Sequence, residues 1–414
     1  MSRRFKLFCL VNFILLLIFI YKLCTFYNFT QKQPYPFWLE QCKDAAWLPN
    51  QPIPLPEWGD PRDPYEINSI NEYDNLNKSF ENVLQTLLKT NNYDSLHNFI
   101  RFYKHYKSGN YDSLEEFFRE YKPILTRDAN NCVGLALLLL ERLILLDQIY
   151  PGIKKCLYLV SCEMRLQNIE RYEIRDNPDP WVVDKEHVLV AMKIKVIGRN
   201  GIMILDPGFQ IGRVITVMND GLSPHTDTFK AVSSPEKKYN YQIALDGKYL
   251  KWTMFDNFTK PEINLIYIDA AYITPVSVTE RRNLISKFRS ILSSSDKGHL
   301  LAGVYFKSNY KAGIHLFYED EEDKKNKGSI TVSPKYFISP DKIDSNVEYM
   351  LEKCSRYLRL PLNDLQNILT EIAYILEDEQ FQISMLKIDN EIIERAKHNS
   401  ESIDSNYSNY SNYS

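Results

Sequence analysis

The chain has 414 residues, a net charge of −3, 44% apolar and 13% aromatic content, enough for a sizeable core in one large domain or two smaller ones. That balance, with no long basic block and no aromatic-rich RNA signature, excludes nucleic acid as a partner. Seven scattered cysteines, none in a CxxC pair, and sparse histidine argue against a disulfide framework and against a metal site.

The N-terminus reads MSRRFK followed by LFCLVNFILLLIFIY. Residues 1–27 are expected to be a retained signal-anchor, with residues 7–27 in the membrane and no small-x-small cleavage site after them. Arg3, Arg4 and Lys6 precede the apolar run and Lys22 and Lys32 follow it, a modest bias that places the N-terminus in the cytoplasm. The expectation is a single-pass type II protein of the secretory pathway with a lumenal or extracellular body. Sequons at Asn28, Asn77, Asn257, Asn406, Asn409 and Asn412 are compatible with a glycoprotein.

Residues 28–70 are proline-rich and read as an extended linker, part of which lies on a surface because it carries Trp38, Trp47 and Trp58. The main domain is expected over residues 71–340. It opens with helices in which YDSL occurs twice, and Ser113 with Glu116 fits a capping box. NNCVGLALLLLERLILL follows, an apolar helix that Asn130 or Asn131 caps, with Cys132 in its first turn. Orphan backbone N–H groups and the helix dipole favour an anion there, so Cys132 is a candidate nucleophile.

After a Tyr150-Pro151-Gly152 stop, KKCLYLVSCEM alternates as a strand, with Cys156, Tyr158, Val160 and Cys162 on one face. RDNPDPW is a loop, EHVLVAMKIKVIG a strand, GRNG a turn, and IMIL a strand closing on Asp206. Further strands are expected at YNYQIAL, KYLKWTMF, EINLIYI, HLLAGVYF, IHLFY and SITVSP, with EDEEDKKNKG as a solvated hairpin tip. Residues 341–398 read as a helical segment and 399–414 as a disordered Ser/Asn/Tyr tail.

A thiol nucleophile needs an imidazole to take and return its proton, and the imidazole needs an acceptor on its other nitrogen. Cys132, His187 and Asp206 supply those three types. A GRNG turn, however, sets Asp206 opposite a residue near Lys193, roughly 20 Å along the strand from His187. A bulge or longer loop is then required, or Asp184 is the third partner. Asn131 and the Cys132 backbone N–H are candidates for stabilising an oxyanion.

NNCVGLA, EHVLVAMKI and GIMILDPGF together resemble the papain-like cysteine superfamily in its transglutaminase and arylamine N-acetyltransferase branch. The resemblance implies an α+β fold with the nucleophile helix packed on an antiparallel sheet or barrel, flanked by helices. It also implies a cysteine-nucleophile acyltransferase with a Cys-His-Asp triad and a thioester intermediate, acting on an amine or amide of a small molecule or protein side chain. No cofactor is required, and acetyl-CoA or another acyl donor is a possible substrate. Where the acetyltransferases carry Arg-Gly-Gly before the cysteine, this chain has Arg127-Asp128-Ala129-Asn130-Asn131, which leaves the donor open. The alternatives are a catalytically inactive, membrane-anchored binding module on the same fold and a cysteine peptidase or amidase.

Overall fold

In a computed structural model the described residues are 42–164, 166, 168–180, 184–232, 234, 236–256, 259–307, 313–323, 325–339 and 344–411, without the side chains of 184–186 and 397–411. The anchor expected over residues 1–27 lies outside them. Among the described residues no helix is long and apolar enough to cross a membrane. Of the sequons, Asn77 is the one whose side chain is described, and it sits inside a helix.

The architecture is α+β. Helices α1 (Ile70–Thr90), α2 (Leu96–Ser108) and α3 (Leu114–Glu120) precede the central helix α4 (Cys132–Ile144). Capping chemistry sets where these helices start. Ser69 accepts from the Glu72 N–H at 3.1 Å while Glu72 accepts from the Asn68 N–H, and Ser113 and Glu116 repeat the device for α3. On α1 the buried side chains Tyr73, Leu76, Phe80, Leu84, Leu87 and Leu88 recur every three or four residues, giving one apolar stripe. Helix α4 is buried on every side from Cys132 to Leu140, as its unbroken apolar run requires.

Around α4 the strands are β1 (Trp58–Pro61), β2 (Tyr65–Ile67), β3 (Tyr93–Asp94), β4 (Leu157–Met164), β5 (Asp184–Val196), β6 (Arg199–Leu205), β7 (Ile215–Met218) and β8 (Phe229–Lys230). There follow β9 (Lys238–Ile243), β10 (Tyr249–Phe255), β11 (Glu262–Tyr267), β12 (Ala270–Tyr272), β13 (Phe288–Ser294), β14 (Leu300–Lys307), β15 (Ile314–Glu319) and β16 (Lys327–Val332). The larger sheet runs β7-β6-β5-β4-β11-β10-β9-β8 with antiparallel neighbours, and β2 adds in parallel to β5. It curls: Ile215 and Val217 of β7 share one core with Tyr239 and Tyr241 of β9, from the other side of the path.

The second sheet, β16-β15-β14-β13-β3, packs its inner face on α2 and α3 and on three C-terminal helices. Between the two sheets a π-helical turn, Pro275–Glu280, leads into α5 (Arg281–Leu284). The C-terminal helices are α6 (Ser345–Tyr357), α7 (Leu362–Glu377) and α8 (Glu379–Ser411). Their Leu351, Leu369 and Phe381 lie in the same core as Phe99 and Ile314, and the described residues form one compact unit. In the segment expected as a linker, β1 pairs with β12, and Trp47 stands edge-on to Phe118 at 5.6 Å.

Two local expectations are corrected. Cys156 ends a short helical turn, Ile153–Cys156, so only Tyr158, Val160 and Cys162 share the inner face of β4. The hairpin turn between β5 and β6 is not centred on Arg199-Asn200 but is the two-residue Ile197-Gly198, with φ of 49° and 78° and Val196 paired to Arg199. Such a turn needs positive φ at both central positions; Gly198 meets that freely and the β-branched Ile197 at a cost, and Arg199 and Asn200 become strand.

Candidate active site

The position of that turn decides the geometry of the site. The β5–β6 ladder runs without a bulge to Val190↔Leu205, so Asp206 falls opposite Leu189, one pleat from His187 and on the same face. His187 Nε2 lies 3.1 Å from both Asp206 oxygens, and both side chains are buried. Neither a longer loop nor Asp184 is needed to bring the two together. Asp206 Oδ1 also accepts the Phe209 N–H at 3.0 Å, which fixes the carboxylate in the Asp206-Pro207-Gly208-Phe209 turn.

With Nε2 engaged, Nδ1 is the ring nitrogen left for the sulfur, and His187 is hydrogen-bonded to Cys132. A Cβ placed on Gly208 would lie 2.8 Å from Cys132 Cβ and 2.8 Å from His187 Cε1, so the two side chains face each other across the space of one methyl group. Cys132 and His187 are each only 3% exposed. Burial works against an imidazolium here, but the Asp206 charge and hydrogen bond, aided by Cys132, win and push the His187 pKa up to about 10.

Asn131 is not an open oxyanion donor. Its side-chain oxygen caps α4 by accepting the Val133 N–H at 2.9 Å, and its side chain is also hydrogen-bonded to buried Glu280. The polar side chain that faces the sulfur is Asn283 on α5, whose Nδ2 is 3.6 Å from Cys132 Sγ. Buried Arg289 holds α5 in place: it donates to the backbone oxygens of Asn283, at 2.8 Å, and Leu284 while its guanidinium covers the Phe99 ring at 3.6 Å. The Arg282–Asp389 ion pair at 2.8 Å ties the same element to α8.

Aromatic rings close the other side. Phe209 meets His187 edge to face at 4.7 Å and Trp252 at 4.8 Å. Phe209 also lines a neighbouring cavity of about 320 Å³ with Phe229 and Tyr239, whose charged groups are Arg213, Lys230 and Lys297 against one carboxylate, Glu81, so that its rim is cationic on balance. Sequence reasoning named Cys132, His187 and Asp206, which the fold brings together, and missed Asn283, Glu280 and Trp252. The one signal for Glu280 and Asn283 is TERRN, three charged residues and an amide inside an apolar stretch, which reads most simply as a solvated face, and Trp252 sits in the strand KYLKWTMF with no signal of its own.

No family model and no curated protein matches the chain. Solved structures do. Arylamine N-acetyltransferase from M. tuberculosis is 12% identical, covering 71% of this chain and 93% of its own, with a TM-score of 0.35. The M. smegmatis enzyme is 10% identical over 76% of this chain and 93% of its own, TM-score 0.38. The Mycobacterium marinum enzyme in complex with CoA is 10% identical over 72% and 93%, TM-score 0.37. All three of these solved structures to which the chain is similar are arylamine N-acetyltransferases.

Proposed function

We propose that the chain is a cysteine-dependent acyltransferase in which Cys132 is the nucleophile, His187 its base and acid, and Asp206 the group that orients the imidazole. The observation that carries this reading is the contact across Gly208, where an imidazole bound on its far nitrogen by a buried carboxylate meets a sulfur at a helix N-terminus. Cys132 attacks the acyl carbonyl as thiolate, and the imidazolium gives its proton to the leaving group. An amine then attacks the thioester, its proton passes to His187, and the thiolate leaves. Asn283 Nδ2 donates to the oxyanion formed in each half.

The burial of Cys132 and His187 supports a small acyl group over a polypeptide, and by excluding water it supports transfer over hydrolysis. The cationic rim beside Phe209 suits a donor with anionic groups, such as the phosphates of an acyl-CoA. At pH 6, iodoacetamide is expected to modify Cys132 well before buried Cys156 or Cys162, and equal rates for all three would remove the catalytic reading. The membrane anchor over residues 7–27 with a lumenal body stays part of the proposal; an expressed full chain that loses no mass on glycosidase treatment would count against it.

A further inference from the structure

Glu280, the last residue of the π-helical turn, is fully buried, 182 residues from one partner in sequence and beside the cap of the nucleophile helix in space. Asn98 Nδ2 donates to its Oε1 at 2.7 Å, and Asn131 is its second hydrogen-bond partner. Both amides have their oxygens committed elsewhere: Asn98 Oδ1 accepts from Arg101 at 3.1 Å and Asn131 Oδ1 from the Val133 N–H. Each therefore turns its N–H groups to Glu280. Glu280 Oε2 is buried with no partner.

The charged and titratable groups that face this carboxyl from other elements are Arg101 on α2 and Tyr121 at the end of α3. Arg101 spends its guanidinium on Asn98 and on the Ile124 carbonyl, and no ion pair to Glu280 is found among the described residues. A carboxylate in that setting would leave a charged Oε2 dry and unpaired, which costs far more than an unpaired hydroxyl. We propose that Glu280 is held as the neutral acid and is a positioning residue for Cys132: its carbonyl oxygen clamps the Asn131 cap, and ionisation loosens the clamp. The inference rests on the reading of Cys132 as nucleophile.

Burial pushes the Glu280 carboxyl up to about 7, against the opposing pull of Asn98 and Asn131. A carboxyl with a raised folded-state pKa holds its proton better folded than unfolded. Its stabilisation is full below the unfolded value of about 4.3 and is lost as pH rises through about 7. The clamp therefore fails on the alkaline side.

The test compares the full chain with Glu280→Gln and Glu280→Ala from pH 5 to 9, reading iodoacetamide modification of Cys132 and the thermal midpoint. Gln keeps the oxygen for the two amides and cannot ionise. Its Cys132 rate should match the parent below pH 6, while the parent falls behind it by up to about tenfold per pH unit above 7. The parent's midpoint should drop across the same range and that of Glu280→Gln should not. Glu280→Ala should slow Cys132 at every pH. Parallel pH profiles for parent and Gln variant, or parental reactivity in the Ala variant, would overturn the proposal. Neither readout requires acyl transfer, so the clamp can stand if the chain proves to be no acyltransferase, and can fail if it is one.

Discussion

Gly208→Ala is the sharpest single test of how the site is built. Gly208 does not have positive φ, so the added methyl brings no backbone penalty and acts by volume alone. Ordinary carbon contacts need about 3.5–4.0 Å. The new Cβ would stand 2.8 Å from both Cys132 Cβ and His187 Cε1, and 3.2 Å from Cys132 Cα, so one or both side chains must move by about 0.7 Å or more. Overpacking of this kind costs ~1–3 kcal/mol, which a chain of this size should survive folded. Displacing reacting groups by about 1 Å costs on the order of 10²-fold in rate. The expected result is a folded protein, shown by a cooperative melt a few degrees below the parent, whose Cys132 acylates with an activated aryl ester roughly 10- to 100-fold more slowly. A Gly208→Ala protein that acylates at the parental rate would mean that Cys132 and His187 do not act on each other across this gap.

Asp206→Asn removes the charge that outweighs burial at His187, so the imidazolium should become hard to form. A raised histidine pKa stabilises fully below about 6.5 and the stabilisation is lost as pH rises through about 10. The variant should therefore lose on the order of a few kcal/mol at pH 6 in chemical denaturation and much less at pH 10. A loss independent of pH would refute that account. Asn283→Ala should leave iodoacetamide reactivity at Cys132 near the parental value, because alkylation builds no oxyanion, while acyl transfer falls about 10²-fold. Equal effects on both reactions would assign Asn283 to packing instead.

What the sequence made legible was local. Asn131-Cys132 ahead of a leucine-rich run is helix-start chemistry within a few residues, and the cap bond to Val133 is its direct expression. The residue types at His187 and Asp206 were readable too, but not their distance. That depended on one turn, and the turn adopted positive φ at Ile197, a residue that disfavours it, while the more turn-like Arg199-Asn200 went into strand. An offset of this kind moves every pairing along the hairpin, which is why Asp206 seemed too remote from His187.

Asn283 and Glu280 carried no local signature. Asn283 reaches Cys132 from 151 residues away in sequence, Glu280 reaches the Asn131 cap directly and Asn98 on α2 from 182 residues away, and only the docking of the π-helical turn and α5 between the two sheets brings them in. TERRN looks like surface because its side chains are polar; in the fold each is used inside, Thr279 on the Tyr272 hydroxyl, Glu280 on Asn98, Arg281 on the Phe118 carbonyl, Arg282 on Asp389 and Asn283 on the sulfur. Burying so many polar groups together is tolerable because each of these side chains finds at least one partner, Glu280 through Oε1 with its Oε2 left over, and a sequence pattern cannot show that matching.

The central claim is that the sulfur of Cys132 becomes covalently acylated with the help of His187. Intact-mass spectrometry after brief mixing with acetyl-CoA or an activated aryl acetate, followed by peptide mapping, reads this directly. One acetyl group on Cys132, absent in His187→Ala and released by an added arylamine, is the predicted result. No acyl adduct, or one spread over Cys156, Cys162 and Cys354 as readily as over Cys132, would contradict it.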